Sequence, residues 1–270
     1  KAQGWVVIFG NGYDSKNESA VLYVLDAGTG EVLSKLDMGE SGCNGLSTPA
    51  IVDADTDGYV DIAYAGDLKG NLWKFYLNAT EMNTNNEYWG VAYGDTSDPK
   101  PLISVQNNAG GQPITVEPEV TRMDCRSDQK GYMVLFGTGR YLTADDFDNS
   151  ATQTFYGVWD WQDEWSGSNK NPSQMYLGEF NATEDAFART LGNAPYKADS
   201  LTLLKQKVDE QKAREGEDYR VLTDNSTNYF APTQGDDDTD TDHAGWFFNV
   251  SDMDNGARVY LDPQVRPAPG

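Results

Sequence analysis

Ser47-Thr-Pro-Ala-Ile-Val-Asp53-Ala-Asp55-Thr-Asp57-Gly58-Tyr59-Val-Asp61-Ile-Ala-Tyr-Ala65 is the stretch on which the fold turns. Two short apolar runs, Ala50-Ile51-Val52 and Ile62-Ala63-Tyr64-Ala65, have the composition and length of strands. Between them lies a nine-residue acidic loop, with aspartates at positions 1, 3, 5 and 9 and a glycine at position 6. Hard cations such as Ca²⁺ need several oxygen ligands in one small shell. Asp53, Asp55, Asp57 and Asp61 supply carboxylates, Tyr59 offers its backbone carbonyl, and Gly58 permits the sharp turn. An EF-hand would sit between helices and end on a bidentate glutamate at position 12; here that position is Tyr64. The loop therefore reads as a shortened calcium loop inside a β-sheet protein. The alternative is a solvated acidic turn, which would leave four carboxylates repelling one another at close range.

Working outward, the chain is a succession of short strands separated by Gly, Asn and Asp turns. Ile8-Phe-Gly-Asn-Gly-Tyr13 is echoed by Leu135-Phe-Gly-Thr-Gly-Arg-Tyr141, with Ala63-Tyr-Ala-Gly-Asp67 as a looser middle copy. An apolar-aromatic strand follows each: Leu22-Tyr-Val-Leu25, Phe155-Tyr-Gly-Val-Trp159 and Leu72-Trp-Lys-Phe75. A repeat of this size, giving about four short strands per copy, suggests propeller blades. The turn Leu25-Asp-Ala-Gly-Thr-Gly-Glu-Val-Leu33 resembles the repeat signature of quinoprotein-type propellers. The expected fold is thus all-β, a modified β-propeller over residues 1–270, partial or completed by a missing segment. Residues 78–101 read as a loop insertion. Residues 205–218 read as a second insertion, a charged hairpin in preference to a helix.

The 270 residues can bury a substantial core as one large unit. A net charge of −23 argues against nucleic acid or an anionic membrane surface as partner. It suits calcium, an extracellular setting or a saline one. No apolar run approaches the roughly 20 residues of a membrane span. The start at Lys1, with no leader before the strand-like Trp5-Val-Val-Ile-Phe9, reads as a piece of a longer protein. Neither Cys43 nor Cys125 belongs to a CxxC pair, so zinc is disfavoured. A disulfide between them and two separate thiols both stay open.

Catalytic chemistry has little support. The single histidine, His243, falls in an acidic polar loop, and no G-x-S-x-G elbow is present. Gly10-x-Gly12 and Gly137-x-Gly139 lack the third glycine of a dinucleotide fingerprint and read as strand-to-turn glycines. The run Asp236-Asp237-Asp238-Thr-Asp240-Thr-Asp242 has no glycine to close a ligand shell and reads as solvated loop, as do Asp145, Asp146 and Asp148.

Several segments together resemble the C-terminal β-propeller of the PilY family, bacterial type IV pilus tip and biogenesis proteins. They include Val7-Ile-Phe-Gly-Asn-Gly-Tyr13, Ser47 to Asp53, Ala65-Gly-Asp-Leu-Lys-Gly-Asn-Leu-Trp-Lys-Phe75, Gly111-Gln-Pro-Ile-Thr115, Phe136-Gly-Thr-Gly-Arg-Tyr-Leu142 and Gly245-Trp-Phe-Phe248 with Asp262-Pro-Gln-Val-Arg266. Their order and spacing hold over nearly the whole chain. The resemblance implies one calcium loop, carried by Asp53, Asp55, Asp57, Tyr59 and Asp61. It also implies calcium-dependent pilus extension, retraction and adhesion, a place at the pilus tip on the bacterial surface, and minor pilins and a host or abiotic surface as partners. The family's von Willebrand A-like adhesion region has no counterpart here. The run around Asp238 and the charged segment from Asp209 to Asp218 depart from the pattern.

The reading is a non-enzymatic, calcium-binding propeller module. Its main rival is a quinoprotein dehydrogenase using a pyrroloquinoline cofactor with Ca²⁺; the Asp-Ala-Gly-Thr-Gly turn fits, but no vicinal cysteine pair or cofactor platform accompanies it. An integrin-like propeller would repeat its calcium loop in several blades, and one good loop exists here.

Overall fold

A computed structural model of the chain describes residues 4–13, 15, 17–39, 42–77, 89–95, 97–123, 131–160, 176–187, 201–214, 217–223, 225–227 and 242–266. Among them every long element is a strand, with short 3-10 turns such as Ala144–Asp146 and Val250–Asp252. The first sheet is an antiparallel meander of β1 (Val6–Gly10), β2 (Val21–Asp26) and β3 (Val32–Asp37). The second begins as a like meander of β4 (Ala50–Val52), β5 (Ile62–Gly66) and β6 (Asn71–Tyr76). β7 (Gly90–Val91) and β10 (Ile103–Asn107) pair with β6, β11 (Gly110–Gly111) pairs with β10, and β8 (Tyr93–Asp95) with β9 (Asp98–Lys100) forms a separate hairpin. The third sheet opens with β12 (Glu119–Arg122), β13 (Tyr132–Gly137) and β14 (Thr154–Asp160). The chain then returns to the second sheet with β15 (Gly178–Asn181), parallel to β10, and β16 (Ala186–Phe187). β17 (Leu201–Lys205) and β20 (Asp242–Asn249) complete the third sheet, and between them in sequence β18 (Val208–Arg214) and β19 (Glu217–Leu222) form a separate hairpin.

The repeat seen in the sequence is the same strand pair used three times. Val6–Gly10 with Val21–Asp26, Ile62–Gly66 with Asn71–Tyr76, and Tyr132–Gly137 with Thr154–Asp160 are each antiparallel neighbours. The sheets are not uniform four-stranded blades. The first has three strands, the second eight and the third five. The second grows because β10 and β15 extend it beyond β6. Part of the 78–101 stretch departs from the loop expectation: Gly90–Val91 and Tyr93–Asp95 are strands, and Tyr93 is buried in the core. Residues 78–88 lie outside the described residues.

The second sheet is covered on both faces. Successive side chains of a strand point to opposite sides. Ile62 and Tyr64 of β5 and Leu72 of β6 therefore join a core with Val134, Phe136, Tyr156, Trp159 and Phe247 of the third sheet. Ala63, Ala65, Trp73 and Phe75 point the other way, against Leu22, Val24 and Met38. Each large side chain so buried contributes about 1.5–3 kcal/mol. Within this two-sided pattern Lys74 is an exception, fully buried on the side of the third sheet.

Candidate metal centre

The acidic loop joins β4 to β5, whose register brings Val52 opposite Ile62. The Asp61 amide donates to Val52 O at 2.9 Å and closes the base of the loop, and the Leu77 amide donates to Asp61 O at 2.7 Å. Inside this frame the chain coils around its own carboxylates. Asp53 accepts from the amides of Asp57 (3.2 Å) and Gly58 (2.9 Å), and Asp55 accepts from Asp57 N at 3.1 Å. Asp61 accepts from Ala54 N at 2.7 Å, and Asp57 from Tyr59 N at 2.8 Å. Such side-chain-to-amide bonds are what aspartate offers a turn. Gly58 sits at φ +90°, in the left-handed region, where a side chain would be strained. Thr56 also lies there, at φ +63°, a conformation uncommon for a β-branched residue.

The loop brings Asp53, Asp55 and Asp61 together: one oxygen from each lies within 4.8 Å of the others. Calcium–oxygen bonds are about 2.3–2.6 Å, so two ligands facing each other across one ion stand roughly 4.6–5.2 Å apart. The three carboxylates thus span a single shell, and all are hard oxygen donors, as Ca²⁺ requires. The fourth carboxylate, Asp57, is turned to the Tyr59 amide and is not in this group. The Tyr59 ring is exposed. Asp55 and Asp57 are exposed, whereas Asp61 is buried. Burial pushes the Asp61 carboxyl upward, the negative charges of Asp55 and Asp57 add to that, and the Ala54 amide partly offsets it.

Other sequence expectations land differently. His243 belongs to β20 and is half-buried, because the strand begins earlier than its acidic flank suggests. Asp146 is buried, unlike its exposed neighbours Asp145 and Asp148. It accepts from Arg140 Nε at 2.7 Å and from the amides of Leu142 and Thr143 at 2.8 Å each. Cys43 is an exposed free thiol; Cys125 lies outside the described residues, as does the run from Asp236 to Asp240.

Two buried polar centres went unnoticed in the sequence. Lys74 Nζ and an Asp160 oxygen are 2.8 Å apart, both side chains 0 % exposed, and Tyr64 donates its hydroxyl to Asp160 at 2.6 Å. Burial alone would depress the Lys74 ammonium; Asp160 outweighs it and holds it well above the usual lysine range. The available signal was a lysine inside the apolar run from Asn71 to Leu77. The second is Asp67, whose two oxygens accept from the amides of Lys69 and Asn71 and from the side chains of Asn44, Asn71 and Trp73.

With the three sheets and this loop placed, the chain can be set beside known proteins. The family model of the PilY1 beta-propeller domain matches residues 1–186. The type IV pilus biogenesis factor PilY1 of Pseudomonas aeruginosa is 33% identical over 269 residues, covering 93% of this chain and 20% of that protein. A PilY1 homolog of Xylella fastidiosa is 40% identical over 169 residues, covering 58% of this chain and 11% of its own length. The crystal structure of the Pseudomonas aeruginosa PilY1 C-terminal domain superimposes with a TM-score of 0.69 at 30% identity, over 96% of this chain and 50% of that one. The chain thus spans about a fifth or less of the curated relatives it matches. These relatives are named pilus biogenesis factors, which gives the dehydrogenase alternative no support. The three sheets do not close into a ring among the described residues, as expected of part of a propeller. The chain belongs to the PilY1 β-propeller family.

Proposed function

We propose that this chain is the calcium-binding propeller module of a non-enzymatic pilus biogenesis factor, in which calcium at the β4–β5 loop governs pilus extension, retraction and surface adhesion. The observation that carries the reading is the convergence of Asp53, Asp55 and Asp61 oxygens within 4.8 Å on one strand connection. Bound there, a Ca²⁺ ion neutralises the cluster and joins the end of β4 to the start of β5. The loop's own residues prepare the site. Gly58 and Thr56 supply the left-handed turns, the amides of Ala54, Asp57 and Gly58 orient the carboxylates, and the Asp61 amide anchors the base. The Asp57 side chain and the Tyr59 carbonyl complete the proposed ligand set. On this reading the module works at the pilus tip, outside the cell, against minor pilins and a host or abiotic surface; the pilus association of the relatives supports that setting.

A ligand that binds only the folded chain stabilises it by about 2.7 kcal/mol at one hundred times its Kd, or roughly 5–10 °C for a chain of this size. Scanning calorimetry in excess calcium against a chelator checks this, with Asp53→Asn and Asp61→Asn expected to abolish the difference. Equal melting temperatures in the native chain would overturn the site. Terbium gives a second readout, since the Tyr59 ring can sensitise its emission. Tyr59→Leu is expected to dim that emission while leaving the calcium competition curve in place, because only the backbone of residue 59 serves as ligand.

A further inference from the structure

The connection from β13 to β14 and the segment after the final 3-10 turn meet at the surface and build an apolar cluster that no part of the proposed calcium function uses. Tyr141 (48 % exposed), Leu142 (47 %) and Phe147 (64 %) come from the first, Tyr260 (60 %) and Leu261 (71 %) from the second. The rings form one group: Tyr141 lies 4.8 Å from Phe147, edge to face, and 5.9 Å from Tyr260. Arg258 stands over the Tyr141 ring at 5.6 Å.

This cluster is rigidly backed. Arg258 donates to the backbone oxygens of Arg140 (3.0 Å), Asn149 (2.9 Å) and Asp146, tying the two segments together. The Val259 amide donates to Thr138 O at 3.0 Å, and Arg140 pairs with buried Asp146. Exposed Tyr and Phe that are already ordered lose little conformational freedom when a partner covers them, and such residues dominate binding at interfaces. The two leucines argue for apolar side chains as the opposite surface, in preference to a sugar. The charge around the cluster fixes the partner further. Asp145, Asp148 and Asp262 are exposed on the same two segments, Asp262 also accepting from the Glu117 amide at 2.9 Å, whereas the two arginines are engaged with the backbone oxygens and carboxylate just described.

We propose that the Tyr141–Phe147–Tyr260 cluster is a docking site for a polypeptide segment of a partner protein that carries apolar side chains flanked by lysine or arginine. The probe is a fluorescent peptide of alternating lysine, leucine and phenylalanine, with a twin bearing glutamate in place of every lysine. Both are titrated by anisotropy into the whole chain at low and high salt. The expected result is saturable binding of the lysine peptide that is at least tenfold weaker for the glutamate twin. It should also fall at least tenfold in Phe147→Ser/Tyr260→Ser, while Val32→Ser at another exposed site changes nothing. Equal binding by the double variant means attraction to the chain's overall negative charge and overturns the site. Loss of a homodimer on sedimentation of the double variant assigns the cluster to a second copy and overturns the partner. Protection of Tyr141 and Tyr260 from tyrosine-selective labelling in the full-length protein without partner assigns it to another segment of the same molecule, with the same consequence. Calcium removal leaves the expected binding intact, so this outcome is separable from that of the calcium loop.

Discussion

At the scale of single residues, the Lys74–Asp160 pair governs more than its two charges. Both groups are removed from water, and their mutual attraction offsets that cost only while each has the other. Replacing one leaves a buried charge with its main counter-charge gone. Lys74→Met and Asp160→Asn are each expected to cost about 3–5 kcal/mol. The double variant should lose less than the sum, which urea midpoints of the single and double variants will read. Asp146 answers to pH instead. Burial opposes its ionisation, but the Leu142 and Thr143 amides and Arg140 prevail and lower its pKa from 3.8 to about 2. A carboxyl held lower in the folded than in the unfolded chain stabilises the fold above the ordinary value. That stability is lost as pH falls from about 4 towards 2. The native chain should therefore lose more stability across that interval than Asp146→Asn does, and parallel acid titrations of the two would refute it. The convergence of Asp53, Asp55 and Asp61 was legible because aspartates alternating before a glycine fall on one tight loop; the turn of Asp57 towards the Tyr59 amide was not. Nor was Lys74: its partner is on another strand pair, and no local pattern says that an apolar run containing a lysine will be covered on both faces.

At the scale of elements, the turn from β5 to β6 is built around one carboxylate. Among the described residues, every partner of the Asp67 carboxylate is an N–H donor, so no rotamer of an asparagine can satisfy them all. Asp67→Asn turns an amide nitrogen against at least one donor in a buried site, at about 1–3 kcal/mol. The loss should register in Trp73 fluorescence as well as in the denaturation midpoint, because the indole N–H donates to Asp67 at 2.9 Å. In the same turn Gly70 takes φ +87° and faces the backbone of Val105 and Gln112, so strand β10 can close over the turn only if residue 70 has no side chain. Strand pairs within each repeat were readable from apolar alternation and turn glycines. The additions to the second sheet were not, because β10 and β15 pair in parallel across 70-odd residues of intervening chain, and parallel pairing leaves no hairpin signature.

At the scale of the whole molecule, acidic charge and the proposed calcium ion would act on the same balance by different routes. A net charge of −23 repels itself in the compact state, and salt screens that repulsion over about 10 Å at 0.1 M. Raising sodium chloride in the presence of chelator should lift the melting temperature by a few degrees. Calcium should act far below the concentration at which its ionic strength matters. If equal ionic strengths of the two salts gave equal shifts, the calcium effect would be screening alone. The partial-propeller class followed from the strand repeat, whereas the unequal sheets of three, eight and five strands did not, since strand count depends on pairings that no single repeat contains.

The buried ion pair also sets the order in which the chain can fold. Lys74 lies on β6 and its partner Asp160 at the end of β14, so a nascent chain that has finished β4 to β6 still holds a lysine whose counter-charge has not been made. The second sheet cannot bury its inner face until β14 arrives. Folding is then coupled between sheets, and a ribosome-bound fragment ending before Asp160 should stay open to protease at β6.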